Sequence, residues 1–321
     1  MFPLNNRLTV IGSRNSCLIK RFYSSDSLMS SENYCANLVR KHDYENFLCC
    51  LLLSNAVRST AFAVRGFNVE VAKVEDQVSE SRLAQMRLQF WIETLDNLFK
   101  ENVPQHPVAQ ELYKAIQRHK LQKHHLRSLV SARVGRLSSV TFPTLEAVEQ
   151  YAESSVSPVY YLLLQAVGVQ NVHADHAASH LGKAQGIVNT VRGLPHHCTR
   201  RIVMLPQDVL TRHSVAHESV IRGSRDQPVR DVVFEVATRA KQHLDKARSI
   251  KDKLPKEAHV LLLPAAATSW YLEKLQQLDF DVFHPKLQRR NQLLPWTLYL
   301  NKLLKRCLST KRLKNEISCK T

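Results

Sequence analysis

Two arginines, a few carboxylates and two histidine clusters are the side chains of this 321-residue chain whose types and spacing could do chemistry. Arg58 and Arg192 each offer a planar guanidinium able to grip an anionic head group through two parallel hydrogen bonds. Asp76 and Glu80 stand four apart; on one helix that spacing puts both carboxylates on the same face, where they could hold Mg²⁺ against a phosphate. The plainer reading of Glu75, Asp76 and Glu80 is a solvated helix face in ordinary ion pairs, and that is the expectation. Arg58 and Arg192 likewise have an alternative, salt bridges to Glu70 or Asp76 across a pocket. His176 and His180 also lie four apart, with Asp175 beside them and His173 nearby, an acceptable zinc geometry. No Glu-rich partner motif of the zincin kind accompanies them, so they are read as polar structural side chains. His196-His197-Cys198 reads as a loop, with no better claim to a metal.

Helices must position these groups. Leu83, Met86, Phe90, Trp91, Leu95, Leu98 and Phe99 recur at three-to-four spacing, with Arg87, Gln89, Glu93 and Asp96 between them. The run Asn102-Val103-Pro104-Gln105-His106-Pro107 ends that helix. Further helical stretches are expected at about 108–118, 123–135, 144–168, 174–192, 207–222 and 228–250, with turns at Pro143, Gly168 and 223–228. Only 8 glycines in the chain, and no alternating apolar runs, argue against a sheet. One all-α domain is expected from about 34 to 300. No repeat and no Gly-rich phosphate loop occurs, and no apolar run is long enough to span a bilayer.

The net charge of +17 sits largely at the two ends. Residues 1–23 carry +4 and no acid, residues 302–321 carry +6, and the body keeps +7. No stripe of Arg and Lys interleaved with aromatics appears, so nucleic acid is not expected as a partner. Residues 1–23, rich in Arg, Ser and apolar side chains, have the composition of a mitochondrial transit peptide, with Arg21-Phe22-Tyr23 placing the cut after Tyr23. Residues 24–33 read as a polar linker. The 7 cysteines share no ligand spacing, and adjacent Cys49-Cys50 reads as a buried pair of thiols in a reducing compartment. Near the C-terminus, Trp296, Tyr299, Leu300, Leu303, Leu304 and Cys307 project onto one stripe, with Lys302, Lys305 and Arg306 opposite. A basic amphipathic helix of this kind suits an anionic membrane surface. The alternative is a final helix docked on the core, followed by a basic tail over 301–321.

Three blocks, in order, resemble the squalene/phytoene synthase family and together span about 44–300. The first runs from Arg58 to Asn68, similar to the family's Arg-led helix, followed by a Leu-x-x-Trp helix at Leu88 and Trp91. The second is Asn189, Arg192 and the stretch Gly193-Leu194-Pro195-His196-His197, with a Leu205-Pro206 pair after it. Ile202 stands where the family usually has Arg. The third is Phe280-Asp281-Val282-Phe283. The resemblance implies the all-α isoprenoid synthase fold in one domain. It also implies four metal-binding aspartates at positions 72, 76, 193 and 197, where this chain has Ala72, Asp76, Gly193 and His197. A retained pocket without the chemistry is the expectation: no enzyme, no metal and no cofactor, with Arg58, Glu70, Asp76, Asn189 and Arg192 around the former site.

Two further stretches, Phe67 to Ala72 and His173 to His180, resemble a non-catalytic mitochondrial branch of the same family. That resemblance implies a matrix protein at the inner-membrane surface, needed for early assembly of NADH:ubiquinone oxidoreductase (complex I), with complex I subunits or intermediates as partners. Two rivals remain open from the sequence. One is a prenyl-diphosphate condensing transferase using a shifted metal site, the other a lipid or prenyl-chain binding protein.

Overall fold

The computed structural model describes residues 30–78, 80–137 and 141–304. The expected transit peptide, the linker up to residue 29 and the tail beyond residue 304 lie outside the described residues. Fifteen α-helices make up the described chain and no strand occurs among the described residues, the nearest approach being an isolated bridge between Phe142 and Pro206. Helix α1 (Ser31–His42) is capped by the Ser30 hydroxyl, which accepts from the Asn33 amide, and it carries Glu32 in its first turn and Arg40 and Lys41 in its last. That distribution suits the helix dipole. Short α2 (Tyr44–Leu51) leads into long α3 (Asn55–Gln77). Next come α4 (Ser81–Leu98), α5 (Pro107–His119) and α6 (Lys123–Leu137).

The expected single helix over 144–168 is two helices, α7 (Leu145–Ser155) and α8 (Ser157–Ala166). Pro158 lacks the amide hydrogen that a continuous helix would need, so the chain breaks at Val156 and restarts with the proline in its first turn. The expected 207–222 helix is likewise split, into α10 (Gln207–Arg212) and α11 (His217–Ile221). Helix α9 runs the other way, beyond expectation, from Val172 to Thr199. It carries straight through Pro195, so His196, His197 and Cys198 are helical rather than in a loop. The rest of the chain forms α12 (Gln227–Ser249), α13 (Lys256–His259), α14 (Pro264–Gln277) and α15 (Leu294–Leu303).

Helix α9 is the axis of the molecule, packed by α7, α8, α12 and α14, while α3 packs against α1, α5 and α8. Close approach along α9 depends on two glycines. A Cβ at Gly182 would stand 2.6 Å from the Ser157 Cα, and one at Gly186 would stand 2.8 Å from the Ala152 Cα. Backbone stands there, so no side-chain rotation relieves either clash. The Leu-x-x-Trp helix docks through Trp91, whose ring meets Phe67 of α3 edge-on at 5.4 Å and His106 at 5.0 Å.

Candidate functional site

Helices α3 and α9 open a cavity of about 410 Å³ between them. From α3 it takes Arg65, Asn68, Val69 and Ala72, positions that one helical face brings together. From α9 it takes Gln185, Asn189 and Arg192. The start of α2 adds Tyr44, Glu45 and Asn46, with Asp43 just before them; α6 adds Arg133; and the approach to α15 adds Arg290, Asn291 and Leu294.

Charge in the cavity is arranged in pairs with a surplus. The Arg192 guanidinium donates to Glu45 at 2.8 Å and lies 4.6 Å from the centre of the Tyr271 ring. Burial pushes the Tyr271 phenol up to about 12. Buried Arg65 stands 3.7 Å from Asp43, whose carboxyl is pushed upward by burial against the pull of that guanidinium. Asp43 also accepts from the Asn46 amide at 2.7 Å. Tyr160 donates its hydroxyl to Gln185 at 2.6 Å, which fixes the glutamine on the cavity floor. Among the described residues Arg133 donates to neutral acceptors, the Asn68 side chain at 2.8 Å and the Leu129 carbonyl at 2.5 Å.

The residues singled out in the sequence divide between this cavity and other surfaces. Asn189 and Arg192 line it. Arg58 donates to the Leu53 carbonyl at 2.9 Å, closing the turn between α2 and α3. Glu70 is on the opposite flank of α3, where it accepts from Tyr34 at 3.2 Å and lines a separate groove with Trp91 and His106. Asp76 is held at the surface by Arg200 at 2.9 Å and His196 at 3.4 Å. The pairings of Arg58 and Arg192 with Glu70 or Asp76 are therefore not formed. Nor do Asp76 and Glu80 share a helix face, since α3 ends at Gln77 and Glu80 is the N-cap of α4. Asp281 of the third block is buried and accepts from Arg225 Nε at 2.7 Å, a tie between the loop after α14 and the start of α12. Arg65, Glu45, Arg133 and Arg290 went unread in the sequence.

The family implies Mg²⁺ at this site, and the residues present do not fit it. Ala72 offers no donor to the cavity wall. Space beside Gly193 is taken by the His197 ring, whose Nε2 stands 3.1 Å from where a Cβ would be. Burial holds His197 below the usual histidine range, so a neutral ring stands where the family resemblance implies a carboxylate, and its Nδ1 is buried without a partner among the described residues. Mg²⁺ binds through carboxylate and phosphate oxygens in octahedral geometry; of the four positions only Asp76 keeps a carboxylate, and it is already paired, as are Asp43 and Glu45 in the cavity. The other histidine cluster is a row rather than a cage. His180 Nδ1 faces His243 Nδ1 at 2.8 Å and its Nε2 faces His176 Nε2 at 3.0 Å. The far nitrogen of His243 stands 3.2 Å from Glu149. Burial and the neighbouring imidazoles bring His180 down to about 4, so the central ring of the row is neutral near pH 7.

Comparison with known proteins bears on the same region. Residues 39–297 match the squalene/phytoene synthase family. Complex I assembly factor 6 of Bos taurus is 47% identical over 276 residues, covering 86% of this chain and 83% of the relative. The Homo sapiens assembly factor 6 is 44% identical over 277 residues, covering 86% and 83%. Among solved structures, a squalene synthase from Alicyclobacillus acidocaldarius superposes with a TM-score of 0.69 at 20% identity, covering 78% of this chain and 94% of the enzyme.

Proposed function

The chain belongs to the squalene/phytoene synthase family, and from that premise we propose that it is a mitochondrial complex I assembly factor that has kept the synthase fold and given up the synthase reaction. The observation that carries the first half is the 47% identity, over 86% of the chain, to a protein named complex I assembly factor 6. The second half rests on Ala72, Gly193 and His197 at three of the family's four metal positions. A shifted Asp76–Glu80 site is disfavoured because a helix break separates the two carboxylates and Asp76 is already ion-paired. Residues 1–23 would carry the chain into the matrix, where its partners would be complex I subunits or early intermediates.

Attachment to the inner membrane would be peripheral. Among the described residues no helix is long and apolar enough to cross a bilayer. Helix α15 buries Leu294 and Leu298 and leaves Trp296, Tyr299 and Leu303 exposed, with Trp296 at 69% and its N-cap Leu293 exposed beside them. A helix that lies in a membrane surface turns apolar and aromatic side chains outward with cations beside them, and Lys302 is such a cation. Human cells lacking their own assembly factor 6 provide the test. Expression of this chain should restore assembled complex I on native gels; a chain that is imported and stable yet leaves complex I absent would contradict the proposal.

A further inference from the structure

Four guanidinium groups line the α3–α9 cavity, Arg65, Arg133, Arg192 and Arg290, against two carboxylates, Asp43 and Glu45. Glu45 and Asp43 answer Arg192 and Arg65. That leaves a surplus of two positive charges. Arg133 is only 9% exposed, and its hydrogen bonds go to the Asn68 amide oxygen and the Leu129 carbonyl rather than to any carboxylate of the described residues. A buried guanidinium stays charged, and holding it among neutral acceptors is costly unless an anion completes the site. Arg65 also keeps a buried Nε hydrogen with no partner among the described residues. Arg290 lies over the Tyr44 ring at 4.5 Å at the cavity's outer edge.

The elements that bring Tyr44, Glu45 and Leu294 to the cavity also build an apolar groove of about 320 Å³, lined by Leu48, Leu51, Leu52, Trp296, Leu298 and Tyr299. On α2 the step from Glu45 to Leu48, and on α15 the step from Leu294 to Leu298, is about one helical turn, roughly 5 Å of axis. Cation surplus and apolar groove thus adjoin along two helices, the layout an amphiphile with an anionic end would match.

We propose that the cavity binds the phosphate head group of an anionic membrane lipid through arginines alone, without a metal ion, with the acyl chains laid along the groove between α2 and α15. Arg133 and Arg192 grip the phosphate oxygens, Arg290 closes over them, and Trp296 and Tyr299 cover the first methylenes. Guanidinium forks suit this anion because they meet its oxygens in pairs. The inference stands apart from the assembly role, since it is read on the purified chain without complex I.

Titration calorimetry of the full-length chain in EDTA tests it, with dioctanoyl phosphatidic acid as the probe, dioctanoyl phosphatidylcholine as the net-neutral comparison and inorganic phosphate as the soluble source. Saturable binding of phosphatidic acid is expected, with phosphatidylcholine and inorganic phosphate each at least about tenfold weaker. Arg133→Gln and Arg290→Gln should each weaken the lipid about tenfold, the worth of one charge-assisted contact. Arg290 is exposed, so its variant folds and decides the matter if Arg133→Gln does not. Inorganic phosphate binding as tightly as the lipid would assign the cavity to a soluble anion and overturn the proposal. Binding that needs Mg²⁺, an Arg290→Gln variant that binds as the parent does, or no binding at all would overturn it equally.

Discussion

Along α9, Gly182 and Gly186 near the middle and Gly193 and His197 near the end meet opposite conditions. At the first pair a side chain would strike the backbone of α7 and α8, at 2.8 Å from Ala152 Cα and 2.6 Å from Ser157 Cα. At Gly193 a side chain would meet only the end of the His197 ring, at 3.1 Å. The first pair is fixed by packing, and any larger residue must move a helix. The second pair follows Arg192, the last residue of α9 that lines the cavity, and at 193 only a side chain stands in the way. The close packing of α9 therefore does not depend on which side chains stand at 193 and 197, because the two pairs occupy different turns of the same helix.

Breaking the seam should give the largest effect. Gly186→Leu forces a branched side chain into the Ala152 backbone and should destabilise the chain by about 3 kcal/mol, read as a lowered unfolding midpoint. At the cavity end, the triple change Ala72→Asp, Gly193→Asp, His197→Asp should leave a folded protein and create a carboxylate cluster. Its unfolding should then be opposed by Mg²⁺, by about 1.4 kcal/mol at a concentration about ten times the Kd. The parent chain should show no such shift, and an equal Mg²⁺ response in both would overturn the assignment of those positions.

A third contrast separates half-buried histidines from exposed ones. Burial and neighbouring imidazoles bring His125 and His180 down from 6.5 to about 4. The unfolded chain therefore binds protons that the folded chain refuses, and these groups cost stability as the pH falls. Their contribution is intact above about pH 6.5 and is lost progressively toward about pH 4. Thermal midpoints measured from neutral pH down into that range should fall on the acid side, and His180→Gln should flatten that fall. The smallest effect on stability should come from the outer face of α15. Trp296→Ser with Tyr299→Ser removes two exposed side chains and should change stability by less than about 0.5 kcal/mol. The same variant should float less with vesicles of inner-membrane lipid composition, and undiminished flotation would place attachment elsewhere.

Helix periodicity and the order of the motif blocks made the fold legible in the sequence, and the site only in part. Asn189 and Arg192 lie one turn apart on a helix whose face the second block defines, so reading along the motif finds both. On α3 the motif pointed to the wrong residues for geometric reasons. Arg58 shares the face of Ala72 but lies about 21 Å back along the axis, while Glu70 projects about 160° away. Arg65, at seven residues before Ala72, falls on the cavity face and was there to be found. Glu45, Arg133 and Arg290 reach the cavity from distant elements, and nothing local in their sequence marks them. The break at Val156 was signalled by Pro158, whereas Pro195 gave the opposite hint and was overridden by the packing of α9.

Asp76 is the one Asp among the four positions at which the family resemblance implies metal carboxylates, and its exposed ion pairs with Arg200 and His196 contribute little to stability. Expressing the Asp76→Asn chain in human cells that lack assembly factor 6, beside the parent chain as the standard, and measuring assembled complex I therefore tests the claim of a non-catalytic role most directly. Complex I at the level the parent chain restores is the predicted result. Loss of complex I with the variant chain present at normal abundance would show that the carboxylate still does chemistry.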